Sequence, residues 1–184
     1  SRYLQNIAPR INALQNDMKH TAKNKNDSTS IMLQIKKLSE DMNAYRQNIV
    51  QQHPGSMLAV LFEAVKVPTF PPMPVKPDGT KDSTYPWQYV KDHFWDNVNF
   101  YDGRLLHTPF FDSKVNDYLD NYISQQPDSV IDAVNYMLLS SRSNDKMFQY
   151  LLAKFTDKYI NPEIMGQDKV FLFLFNNYFS KGDT

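Results

Sequence analysis

The chain has 184 residues, 41% of them hydrophobic, enough to withdraw about 70% of its unfolded surface from water in one or two cores and to fold alone. Lys plus Arg and Asp plus Glu stand at 20 each, so no overall field draws in nucleic acid or an anionic membrane, although residues 1–53 carry 8 basic and 4 acidic side chains against 12 and 16 in the rest. Cysteine is absent, which excludes a CxxC redox pair, a thiolate nucleophile and a disulfide framework within these residues, and the longest apolar block, Val170 to Phe175, is far short of the roughly 18 residues that cross a bilayer.

Leu4, Ile7, Ile11, Leu14 and Met18 step by three and four, which lays one apolar seam along a helix with Pro9 near its first turn. The polar run TAKNKNDSTS interrupts the pattern. It resumes with Ile31, Ile35, Leu38, Met42, Tyr45 and Ile49, and Asp27 or Ser28 is the expected cap. Two matching seams across a short loop predict an antiparallel helical hairpin that docks on later helices, with self-association as a further use of it. A short third helix follows, from the Pro54-Gly55-Ser56 turn. Gln51 to Val60 echoes Gln125 to Val134, each closing a helix at proline and capping the next with serine, a shared grammar more than a true repeat.

VPTFPPMPVKPDGTKDST, Val67 to Thr84, holds five prolines and cannot continue a helix, so it runs extended as a linker or strap pinned by Phe70 and Met73. Three regions are expected: a hairpin plus short helix over 1–67, a proline-rich connector over 68–84, and a helical body over 85–184. In that body Tyr85 to Asp96 reads as an aromatic amphipathic helix. Thr108-Pro109 opens the next, bearing Phe110, Phe111, Val115, Tyr118, Leu119 and Tyr122. Asp128 or Ser129 caps a helix with Val130, Ile131, Val134, Met137 and Leu138. Met147 to Tyr159 repeats the spacing, and Asn161-Pro162 leads into the Phe171 to Tyr178 cluster. No period-2 run of strand formers competes, so the fold class is all-α.

Few residues fall into a catalytic or ligand-binding pattern. His20, His53, His93 and His107 are scattered rather than paired four apart, so no metal or cofactor site is expected, and neither a phosphate loop nor a GxSxG elbow is present. Asp92 and Asp96, with His93 alongside, share a predicted helical face of the type that serves acid and base work. The constellation to mark is Asp96, Asn97, Asp102, Arg104 and His107, at the irregular junction of two helices. Either these side chains satisfy orphan helix-end groups while Phe94, Trp95, Phe100, Leu105 and Leu106 fill the core, or they form an interaction site.

Two segments carry a resemblance: FWDNVNFYDGRLLHTP from Phe94 to Pro109, and MGQDKVF from Met165 to Phe171. Both resemble the signature segments of a helical domain of unknown function that Bacteroidetes place ahead of a thioredoxin-like domain in exported, often lipid-anchored proteins. The likeness covers most of residues 85–180 and runs more loosely toward the N-terminus. Gly103 stands where that family usually has proline, and His107 where it usually has arginine. Gly166 is expected to supply a backbone shape and Asp168 to cap the following helix. Asp27-Ser28-Thr29, Asp82-Ser83-Thr84 and Asp128-Ser129-Val130 also resemble that group's acceptor pattern for O-glycosylation.

The resemblance implies a non-catalytic accessory domain of an exported thiol-disulfide oxidoreductase, in the periplasm or cell envelope, whose precursor is lipid-anchored through a segment not included here. Ser1 lies within a helix approach, consistent with a segment of a longer precursor. The implied partners are an attached thioredoxin-like domain, client proteins and a second copy of the chain. Nucleic acid is not among them, nor is membrane insertion by this segment. The competing expectation is a stand-alone helical module that binds peptides or proteins, for which the 14% aromatic content speaks. A hydrolase or lyase using His93 or His107 is the least favoured.

Overall fold

A computed structural model describes residues 9–10, 12–14, 16, 25–66, 68–75, 77 and 79–180, residues 25–28 by backbone alone. The described residues are helical, joined by turns and loops; Val75 and Lys81 form a single antiparallel bridge around Gly79, too short for a strand. The chain divides into two compact units, Ser1–Phe62 and Glu63–Thr184.

The first unit is dominated by α1, Lys25–Gln52. Asp27 and Ser28 already lie within its helical backbone, so neither is the cap that the sequence suggested. Ile31, Ile35, Leu38, Met42, Tyr45 and Ile49 are each half-buried, as their spacing predicts. Of the expected first helix, Leu4, Ile7, Ile11 and Met18 lie outside the described residues. Arg10, Ala13 and Leu14 share a cavity of ≈ 470 Å³ with Gln34, Lys37, Leu38 and Asp41. α1 gives way to a turn at His53–Ser56, where Gly55 takes φ +80° and the Ser56 hydroxyl oxygen accepts from Ala59 N at 3.1 Å. That cap starts α2, Met57–Ala64, within which the boundary between the units falls.

In the second unit the described residues of the proline-rich stretch form neither helix nor strand, because each proline removes a donor and fixes φ. Phe70 does not pin it, being 46% exposed; Met73 is half-buried, and Pro68 shares a pocket wall with Phe94 and Phe110. Asp82 then accepts from the backbone N–H and hydroxyl of Thr84 and turns the chain into α3, Tyr85–Asp92. α3 is four residues shorter than expected. Residues 93–97 leave the helix as successive turns that carry Phe94 and Trp95 inward, each 6% exposed.

A 3₁₀ turn, Gly103–His107, leads to α4, Pro109–Asp117, whose Thr108 cap and Pro109 at the first position match the sequence signal. α4 widens into a π turn, Tyr118–Tyr122, so the single helix expected here carries a change of pitch. α5, Pro127–Ser141, begins ahead of the expected Asp128 or Ser129 cap: Pro127 occupies the first turn, where its missing N–H costs nothing, and Gln126 is the cap residue. The echo of Gln51 to Val60 therefore does not extend to a shared cap. α6, Asp145–Ile160, starts where Asn144 Oδ1 accepts from Met147 N at 3.0 Å.

α7, Asp168–Leu174, continues into a π turn at Phe175–Phe179. α5, α6 and α7 pack on one another, and the 3₁₀ turn packs on α4 and α6. Val130, Val134, Met137 and Leu138 meet Met147, Leu151, Phe155, Val170 and Leu174 in a core where each is fully buried. Fully burying such a side chain contributes about 1.5–3 kcal/mol, which is why this apolar face, rather than helix propensity, sets the fold. Tyr178 closes the end by donating to Asn135 Oδ1 at 2.7 Å.

Candidate interaction site

The junction between α3 and α4 is built from its own turn chemistry. Asn99 Oδ1 accepts from Tyr101 N, and Asp102, extended in backbone, accepts from Arg104 N at 3.1 Å as cap of the 3₁₀ turn. The Arg104 guanidinium forks onto the same carboxylate, Nε to Oδ1 at 2.8 Å and Nη2 to Oδ2 at 2.5 Å. Those hydrogen bonds hold the Asp102 carboxyl below the usual carboxylate range. Asn144 ties the loop to α6, its Nδ2 donating to Tyr101 O at 2.8 Å. A Cβ on residue 103 would stand 3.2 Å from that Nδ2, so a larger residue there requires the Asn144 side chain to shift by a few tenths of an ångström.

Of the five residues marked in the sequence, the structure joins two. Asp102 and Arg104 pair with each other, whereas Asp96 turns to His93, Oδ2 to Nδ1 at 2.6 Å. Asn97 and His107 are exposed at separate points of the loop and the 3₁₀ turn. The expected shared face of Asp92 and Asp96 does not form, because α3 ends at Asp92. Phe94, Trp95, Phe100 and Leu105 are buried and Leu106 is half-buried, so the junction serves the core on its inner side. Phe94 packs 5.0 Å from Tyr118 and 4.9 Å from Tyr122, and Trp95 meets Phe100 and Tyr118 at 5.3 and 5.2 Å.

The second marked segment is a turn with a buried clamp. Gly166 takes φ +90°, a conformation that side chains resist, and passes beside Pro127. Gln167, 4% exposed, donates from Nε2 to Gln125 O and Oε1, both at 3.1 Å. Gln125 in turn donates to Leu119 O at 2.8 Å and Ile123 O at 3.2 Å. Asp168 is the first residue of α7 rather than its cap, and acts there as an acidic residue in the first turn. At the tip Met165 is 99% exposed, and Gln125, Tyr159, Glu163, Ile164 and Gln167 border a cavity of ≈ 520 Å³.

Sequence reading missed a third node. Asp112 accepts from Tyr150 Oη at 2.6 Å and Lys154 Nζ at 2.5 Å, linking α4 to α6. Lys154, and then Tyr150, lower the Asp112 carboxyl; burial, and then Asp112, push the Tyr150 phenol up. Asp112 lies about 40 residues from both partners, so no local spacing announces the set, whereas Gln125 and Gln167 carry only the signal of amides beside Pro127 and Gly166. No cluster of three His, Cys, Asp or Glu able to hold a metal exists among the described residues, and no helix among them is long and apolar enough to cross a membrane.

The fold and its polar nodes define an all-α domain whose marked segments shape turns and fasten helices. The chain belongs to the family described as Domain of unknown function (DUF5106), whose model matches residues 34–180. No curated protein matches the chain, and no solved structure does.

Proposed function

We propose that this chain is a non-catalytic accessory or interaction domain of an exported thioredoxin-like thiol-disulfide oxidoreductase of the Bacteroidetes periplasm or cell envelope. Its precursor is lipid-anchored outside these residues. The domain positions the redox domain, presents client proteins to it, or pairs two copies. The absence of cysteine supports a division of labour, since any thiol chemistry then falls to residues outside this sequence. The observation that carries the reading is a set of half-exposed apolar side chains on the outer side of the second unit's helices. Tyr136 and Leu139 on α5, and Leu172 and Phe175 on α7 and its extension, are each 50–56% exposed while the opposite faces of the same elements are fully buried.

The test is reduction of insulin disulfides by the full-length protein with this segment intact and deleted. Deletion is expected to slow insulin reduction while leaving turnover of a small disulfide unchanged. Equal insulin rates together with an unchanged oligomeric state overturn the proposal, as does turnover of a small molecule by the isolated segment. A downstream CxxC in a thioredoxin pattern supports it.

A second reading, a stand-alone helical module that binds peptides or proteins, draws on the cavity beside Gln167 and the exposed Met165. It is favoured if a peptide saturates that surface in titration and no redox domain follows.

A further inference from the structure

Lys114 on α4 stands among aromatic rings, apart from the polar nodes of the helix junctions. Its Nζ stands 4.4 Å from the centroid of the Phe94 ring, 5.7 Å from Phe110 and 5.8 Å from Trp95. The same side chain lines a pocket of ≈ 280 Å³, all within the second unit, whose apolar walls include Val65, Pro68, Phe110 and Tyr122. Asp117, Ser113 and the Tyr122 phenol supply its remaining polar groups. The Ser113 hydroxyl is turned back to Pro109 O at 3.1 Å, and Asp117 Oδ1 accepts from Asn121 Nδ2 at 2.8 Å. What remains for chemistry is the amine. Burial brings its pKa down to about 8, against the opposing pull of Asp117. The ring faces favour the ammonium, so the group rests charged, yet it gives up its proton within reach of neutral pH. A lysine desolvated in an apolar pocket is a standard activated nucleophile toward carbonyl compounds.

The pocket also restricts what enters. Lys114 and Asp117 cancel in charge, and the walls are mostly apolar, which suits a small uncharged molecule and disfavours a charged one.

We propose that this pocket captures a small, uncharged, apolar aldehyde or ketone through Lys114. The neutral amine attacks the carbonyl carbon, and the carbonyl electron pair moves to oxygen, which takes up the proton that nitrogen releases. Loss of water from the carbinolamine then leaves an imine. No oxidant or reductant is consumed, and hydrolysis reverses the sequence. The proposal is independent of the accessory reading, since it needs no neighbouring redox domain.

The test is reductive trapping of the intact protein at pH 7 with benzaldehyde and cyanoborohydride, followed by peptide mass mapping. Lys114 is expected to acquire the benzyl label about tenfold faster than the exposed Lys36 and Lys146, with a rate that saturates in benzaldehyde. Glyoxylate, an anionic aldehyde, is expected to show no such preference. Lys114→Arg removes the label, and Phe110→Ala, which opens the wall but keeps the amine, weakens saturation at that position. Labelling spread evenly over the lysines overturns the proposal. So does a Lys114 rate that stays linear in benzaldehyde, or one that glyoxylate matches, since either marks a reactive amine without a selective pocket.

Discussion

α1 and α6 announce themselves in sequence by the same three-and-four spacing of apolar residues, yet they differ in how deeply that spacing is covered. In α1 no residue from 29 to 52 is buried, and the whole seam from Ile31 to Ile49 stays half in water; Met32 and Leu33, beside it, are 59% and 63% exposed. In α6 Met147, Leu151 and Phe155 have no exposed surface at all. Periodicity fixes the direction of an apolar face. Depth depends on how many other faces arrive, and α6 receives α5, α7 and the 3₁₀ turn. A 28-residue helix rises roughly 42 Å, so covering it evenly would need partners of comparable length.

The strongest way to break this contrast is a truncation in α6. Phe155→Ala is expected to cost about 3–5 kcal/mol, because the site is enclosed on all sides and cannot collapse onto the void. Urea unfolding followed by circular dichroism reads it directly, and a loss below about 1 kcal/mol would mean the core is looser than its burial implies. Next in size is Gly166→Ala. At φ +90° the added Cβ has space, 3.7 Å from Pro127, but the backbone conformation itself is strained, for about 1–2 kcal/mol. The same change at a surface glycine with negative φ would be neutral or stabilising, so a neutral result at Gly166 refutes the strained turn.

Much of the fold was legible because its signals are local. Thr108-Pro109 was read correctly as a helix start, since cap and first-turn chemistry lie within four residues, and the spacing from Met147 to Tyr159 marked α6 without naming its Asn144 cap. The α5 start was misread from the same kind of signal: Asp128 and Ser129 are good caps in isolation, but Pro127 already fits the first turn and moves the cap back to Gln126. α3 was overextended because Phe94 and Trp95 continue a helical-looking pattern while their burial requires the backbone to turn away. Of the marked site, Asp102 with Arg104 was readable at a spacing of two. Lys114 was not, because its rings come from two segments and the pocket from a third.

Asp102 gives the third prediction, of about 1 kcal/mol. Asp102→Ala removes the cap and the carboxylate onto which Arg104 forks, whereas Asp102→Asn keeps a cap acceptor and isolates the charge. The folded carboxyl titrates below its unfolded value of about 3.9, so its contribution is complete above that value and disappears as the pH falls through the lower, folded one. Asp112 behaves alike through Lys154 and Tyr150. Thermal unfolding from pH 6 down to pH 2 is therefore expected to show a shallower acid decline in the double variant Asp102→Asn, Asp112→Asn. An unchanged decline places the acid sensitivity in other carboxylates.

The smallest effect returns to α1. Ile35 is half-buried, so Ile35→Ala removes only part of the apolar contact that a core isoleucine makes, and alanine restores helix propensity. About 1 kcal/mol or less is expected, several-fold below Phe155→Ala, although the two positions look equivalent in sequence. Measured at micromolar and at near-millimolar protein, the value also tests self-association through the seam: a copy that covers Ile35 raises its burial, and the cost grows with concentration because mass action adds the interface to the stability of the fold. A loss of 2 kcal/mol or more already at micromolar protein, where a weak pair is dissociated, would mean that the seam of α1 is covered within one chain and would erase the contrast with α6.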